Sequence, residues 1–160
     1  MYNVLDVCRF IINYCDERDY FLSNLKLQKL LYFIQAYFLC YIPSNEGCFK
    51  EEIQAWDFGP VVPEAYHEYK KFGNTTIPKV TQYMEVDETD FWTLKISKYS
   101  NDKIKLEDQE IIRSVVDKFA QFSTTTLVNI THNQSPWKDA YAQGKNTIIT
   151  KRSIRRYFNG

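Results

Sequence analysis

Two histidines, four cysteines and an aspartate beside a glycine-proline turn are the side chains here whose types and positions could do chemistry. His132, in ITHNQSPW, could serve as a general base with a cysteine or Asp57 as its partner. Nothing around it marks a nucleophile, and the simpler reading is an imidazole that caps the helix end or hydrogen-bonds the following turn. His67, in EAYHEYKK, reads as an exposed or half-buried helix residue. Cys8, Cys15, Cys40 and Cys48 lack CxxC and zinc-ligand spacing, and read as reduced small hydrophobes. Asp57 reads as a turn residue bonded to its own backbone. Its tripeptide with Phe58 and Gly59 matches the kinase metal-binding motif by letters alone, since the glycine-rich and HRD-type loops are missing. The expectation is a protein that is no enzyme, with no catalytic residue, no metal and no cofactor.

The elements that must position these residues follow from length and pattern. A chain of 160 residues, 44% hydrophobic and 16% aromatic, suits one folded domain. Lysine plus arginine balance aspartate plus glutamate at 20 each, which leaves no global basic footprint for nucleic acid. The start, MYNVLDVCRFII, does not read as a signal peptide, and the longest apolar run falls short of the roughly 20 residues that cross a bilayer. A soluble cytoplasmic protein without a membrane partner is expected.

Apolar residues at three- and four-residue spacing predict a helix over 2–15 and a second, central one over 25–41, with Ser23 or Asn24 as its N-cap. In the central helix Leu27, Leu30, Leu31, Ile34, Tyr37, Phe38 and Tyr41 form a stripe, and Tyr32, Phe33 and Leu39 imply cover on more than one side. After Pro43, the residues Ser44, Asn45 and Gly47 make a turn. A short strand is expected within 49–56, Phe58 to Pro60 reverse the chain, and Pro63 and Gly73 bracket a helix over 63–72. Segment 74–101 reads as short strands or an irregular wrap, with Phe91, Trp92, Leu94 and Ile96 requiring something to pack on. Helices follow over 107–122, through Leu127, Val128 and Ile130, and from Pro136 to Gly144. A Thr150-capped helix ends the chain, docked by Ile154, Tyr157 and Phe158. The fold class is mainly α: one compact domain around a central apolar helix, with at most a small β element.

Among surfaces, Trp56 and Trp137 read as core. Tyr66, Tyr69 and Lys70 on the helix over 63–72 are candidates for partner binding, because tyrosine couples a large contact area to a polar tip. Lys151, Arg152, Arg155 and Arg156 make the last helix basic, more simply a solvated face or a site for an acidic protein than for nucleic acid.

Three separated blocks carry a resemblance. Leu27, Gln28, Lys29, Leu30 and Tyr32 form the first; Trp56, Phe58, Gly59, Pro60, Val61, Pro63 and Tyr66 the second; Thr131, His132, Pro136 and Trp137 the third. Together they resemble the Panacea domain family of SocA-like antitoxins and phage-associated GepA-like proteins, across nearly the whole chain. The resemblance implies a single mainly helical domain over 1–160 without a separate DNA-binding domain. It also implies an antitoxin of bacteria and their prophages that neutralises a cognate toxin by direct, chaperone-like binding. A protease adaptor is the alternative mechanism, and nucleic-acid binding a more distant one. The motif residues would then be structural, with specificity in less patterned surface such as 74–101.

Overall fold

Ser23 opens the helix that the others surround. Its Oγ accepts from the Lys26 amide at 3.3 Å, and α2 (Asn24–Tyr41) ends where the Ile42 amide donates to the Phe38 carbonyl, one residue before Pro43. The computed structural model describes residues 1–44 and 46–160; Asn45, part of the expected turn, lies outside the described residues. Leu27, Leu30, Leu31, Ile34 and Leu39 of α2 are fully buried, and so are Gln28, Lys29 and Tyr32 on the same helix. Cover comes from α1 (Val4–Glu17), α3 (Pro63–Tyr69), α4 (Leu106–Ala120), α5 (Thr124–His132) and α7 (Lys151–Asn159). The stripe read from the sequence ends early, because Tyr37 and Tyr41 face out at 39% and 62% exposure and pack on each other at 4.9 Å.

A three-stranded antiparallel sheet closes one side, in the order β2 (Gly59–Val61), β1 (Ile53–Trp56), β5 (Thr147–Ile149). β1 is shorter than the expected 49–56. Pro60 sits on the edge strand, where its missing donor costs no ladder bond. Pro63 begins α3 as expected, and Gly73 with φ +58° closes the 3-10 turn that continues it. α6 (Ser135–Gln143) lies over this sheet and ends at Gly144. In α7, Ile154 is buried and Phe158 packs on the core, whereas Tyr157 is 40% exposed and meets Phe158 edge-on at 5.0 Å.

Segment 74–101 resolves into an antiparallel ribbon, β3 (Gln82–Asp87) and β4 (Asp90–Lys98), with a bulge between Val86 and Asp87. Asn13 holds its base, donating to the Val80 carbonyl at 2.9 Å and accepting from the Val80 amide at 2.8 Å. The Arg9 guanidinium lies 3.5 Å from the centre of the Tyr83 ring, and Lys103 reaches Glu85 at 3.7 Å. The half-buried residues therefore alternate as Tyr83, Glu85 and Asp87. Met84 opposite Ile96 and Val86 opposite Leu94 occupy the other face, and all four are more than half exposed. Phe91, Trp92, Leu94 and Ile96, which require something to pack on, find nothing in the body: they are 82%, 95%, 58% and 67% exposed.

Because Leu30 is fully buried in the helix on which most elements pack, Leu30→Ala should lower the unfolding free energy by roughly 2–5 kcal/mol. Urea denaturation followed by circular dichroism measures this.

Candidate functional site

The three sequence blocks meet at the β1–β2 hairpin. From α2, the Lys29 Nζ donates to the Pro60 carbonyl at 2.9 Å and the Gln28 Oε1 accepts from the Val62 amide at 3.0 Å. Gln28 also donates to the Asn24 Oδ1 at 3.0 Å, and the Asn24 Nδ2 donates to the Tyr66 carbonyl at 3.0 Å. One face of α2 thus holds the backbone from Pro60 to Tyr66. These groups are buried, so each bond removes a desolvation cost that an unpartnered atom would carry. One turn further on, the Tyr32 hydroxyl donates to the Gln134 Oε1 at 2.7 Å, which ties the α5–α6 junction to the same helix.

The third block grips the hairpin from its other side. The Trp137 Nε1 donates to the Trp56 carbonyl at 2.8 Å, and the His132 Nε2 donates to the Asp57 carbonyl at 3.0 Å. The rings of His132, Trp137 and Tyr141 stack in series at 4.1 and 4.6 Å. Two readings change here. His132 binds neither its own helix end nor the following turn; it serves a turn 75 residues away. The Asp57 carboxylate is turned from its own backbone toward the Tyr141 hydroxyl at 2.6 Å and Lys145 at 3.4 Å, contacts that hold it below the usual carboxylate range.

Gly59 has φ +107°, and a Cβ there would lie 2.7 Å from the Lys29 Cε and 2.8 Å from the Thr131 Oγ1. Glycine is therefore required both by backbone conformation and by contact with the other two blocks. Leu27, Leu30, Val61 and Thr131 are buried behind the hairpin, Pro136 is buried at the start of α6, and Pro63 is half-buried at the start of α3. Lys29 is enclosed completely, and the other polar atoms named here are committed to backbone or to one another, so the cluster works as a clamp. Among the described residues, no group of three or more His, Cys, Asp and Glu side chains could hold a metal, and no helix is long and apolar enough to cross a membrane.

At its solvent end the cluster opens into a groove of about 440 Å³ between Trp56, Phe58, Tyr66, Lys70 and Lys145. Trp56 is half-buried, short of the core position expected, and meets the edge of Tyr66 at 4.9 Å. Phe58 stands 65% exposed at the hairpin tip. Tyr66 is half-buried and Lys70 exposed, whereas Tyr69 is withdrawn from any partner surface because its ring packs in the core at 6% exposure. His67 is exposed beside Tyr66. Sequence reasoning offered Asn24 only as an alternative N-cap, a role Ser23 fills, and missed Gln134 and the Asp57 link to Tyr141. The last had a signal, since Trp137 and Tyr141 are spaced to stack on one helix face.

Residues 27–138 match the family model described as "Antitoxin SocA-like, Panacea domain". Over 144 residues the chain is 28% identical to a protein named "Antitoxin SocA" from Caulobacter vibrioides (strain NA1000 / CB15N), covering 89% of this chain and 72% of that protein. No solved structure matches the chain.

Two outcomes follow from the clamp. Gly59→Ala should destabilise the fold by about 1–3 kcal/mol, through its positive φ and its clash with Lys29, measurable as a lower urea midpoint. The second concerns pH. Burial lowers the Lys29 pKa to about 7, while an unfolded chain keeps that proton to about pH 10.4, so the unfolded state binds more protons across this window and stability rises with pH. Cys8, Cys15 and Cys48 act oppositely: burial raises their thiols, Cys15 to about 12, so the unfolded chain alone loses thiol protons from about pH 8.5. Unfolding free energy should climb by roughly 0.5–1 kcal/mol from pH 7 to about 8 and then fall. Lys29→Met should remove the climb and keep the fall.

Proposed function

The chain belongs to the SocA-like antitoxin family, defined by the Panacea domain, and from that membership we propose that it neutralises a cognate toxin by direct protein–protein binding. The observation that carries the reading is the family match over residues 27–138, which contains all three blocks of the clamp. The clamp holds its residues in fixed positions and presents a groove of aromatic rings with a lysine on the rim. Aromatic side chains anchored in a rigid surface are what protein interfaces concentrate their binding energy on. Trp56 and Tyr66 lose little rotamer freedom on contact, because each is already packed against the other. On this reading residues 1–160 act as one binding domain, the motif blocks are scaffold apart from Tyr66, and a partner meets Tyr66 on the outward side of α3 and Lys70 just beyond its end.

The test is co-expression with the product of the adjacent gene. Growth arrest by that product alone, relieved by this chain together with co-purification of the pair, is the expected result; a harmless neighbour, or one that is neither bound nor neutralised, ends the reading. Within the complex, Tyr66→Ala and Lys70→Glu should each weaken binding about tenfold at unchanged melting temperature. Tyr69→Ala should act through stability instead, because that ring is buried. Isothermal titration beside thermal denaturation separates the two effects, and normal binding by both outward variants would make the groove scaffold alone.

A further inference from the structure

The β3–β4 ribbon is built the wrong way round for a free monomer. Its polar face, with Tyr83, Glu85, Lys95 and Ser97, is internally satisfied: Ser97 donates to Glu85 at 2.8 Å and Lys95 reaches the same carboxylate at 3.4 Å. Tyr83 and Glu85 on that face contact Arg9 and Lys103 of the body. Its other face carries Met84, Val86, Trp92, Leu94 and Ile96 into solvent, with Phe91 exposed near the tip. A contiguous apolar patch of this kind on a soluble protein marks an interaction surface, and a two-stranded ribbon is marginal in water without something packed on a face.

Charge selects the occupant. The turn holds Asp87, Glu88 and Asp90 within four residues and no cation, while the nearest lysine, Lys95, lies on the opposite face against Glu85. Asp87 and Asp90 are fixed by the turn itself, accepting from the Thr89 and Trp92 amides at 2.9 and 3.0 Å. With side chains of this size 51–95% exposed, the face and the neighbouring Phe91 offer on the order of several hundred Å² of apolar surface. That approaches the area each partner contributes to a standard interface. A second copy would bring a second acidic turn, which offers the first nothing complementary.

We infer that the ribbon inserts its apolar face into an apolar depression on the toxin, and that the depression is rimmed by lysine and arginine side chains that meet Asp87, Glu88 and Asp90. The inference rests on the antitoxin reading and adds to the Tyr66 groove a second, projecting grip. Trp92, at 95% exposure, is its anchor. Side chains on this face support nothing in the body, so their replacement leaves the core untouched.

The test uses the purified product of the adjacent gene with wild-type chain, Trp92→Ala, Leu94→Ser and Glu88→Lys, each checked for an unchanged melting temperature. Trp92→Ala should weaken binding on the order of 30-fold or more and abolish rescue of growth, as expected for a central tryptophan. Leu94→Ser should weaken it to a lesser degree. Glu88→Lys should slow association several-fold at low salt, an effect that shrinks as salt rises. Wild-type affinity in Trp92→Ala and Leu94→Ser overturns the ribbon inference while the antitoxin reading stands. Failure of the wild-type chain to bind overturns both. If the chain alone is a dimer by light scattering and Trp92→Ala makes it a monomer, the occupant is a second copy and the inference is wrong.

Discussion

The arrangement depends on polar side chains buried along one face of an otherwise apolar helix. Asn24, Gln28, Lys29, Tyr32 and Gln35 of α2 each reach a group outside the helix or support one that does. Gln35 accepts from the Cys48 amide at 2.7 Å and donates to the Phe49 carbonyl at 3.1 Å, so the chain entering the sheet is also held by α2. Apolar packing alone would hold α2 in the core and leave rotation and register loosely set. Buried hydrogen bonds are directional, and each orphaned atom costs free energy, so the set selects one arrangement of loops around the helix. Lys29 is the extreme member: a lysine enclosed in the core, facing one carbonyl.

This set explains why the motif blocks have the residues they do. Glycine at position 59 leaves room for the Lys29 stem, proline at position 60 presents its carbonyl on an edge strand, and Trp137 and His132 donate to the carbonyls of Trp56 and Asp57 where the hairpin turns. The aromatic stack on α5 and α6 is therefore a bracket for a turn, with the imidazole as one of its donors.

Much of this was legible in the chain. The periodicity of α1, α2 and α4, the cap from the pair Ser23 and Asn24, the Thr150 cap, and the proline starts of α3 and α6 depend on neighbours a few residues away, and each appears where local pattern places it. What could not be read were relations between distant segments. Asp57 looks like a turn-former until Tyr141 is beside it, and His132 serves a carbonyl 75 residues back. Tyr69 shares its short helix with Tyr66, and only the position of α1 decides which of the two is covered. The ribbon stayed open for a different reason: alternating Trp92, Leu94 and Ile96 signal a strand with one face to cover, and alternation does not say what covers it.

The ribbon's two ends leave the body side by side, since the Tyr99 amide donates to the Thr81 carbonyl at 2.9 Å where the strands begin. A segment that departs and returns at one point can be lengthened, shortened or rewritten at little cost in loop-closure entropy and without moving a core residue. The clamp fixes a chassis, and the outer part of the hairpin is a cassette in it. Grafting a hairpin of different sequence between Thr81 and Tyr99 that keeps Tyr83 and Glu85 alters what the molecule displays and retains the contacts to Arg9 and Lys103.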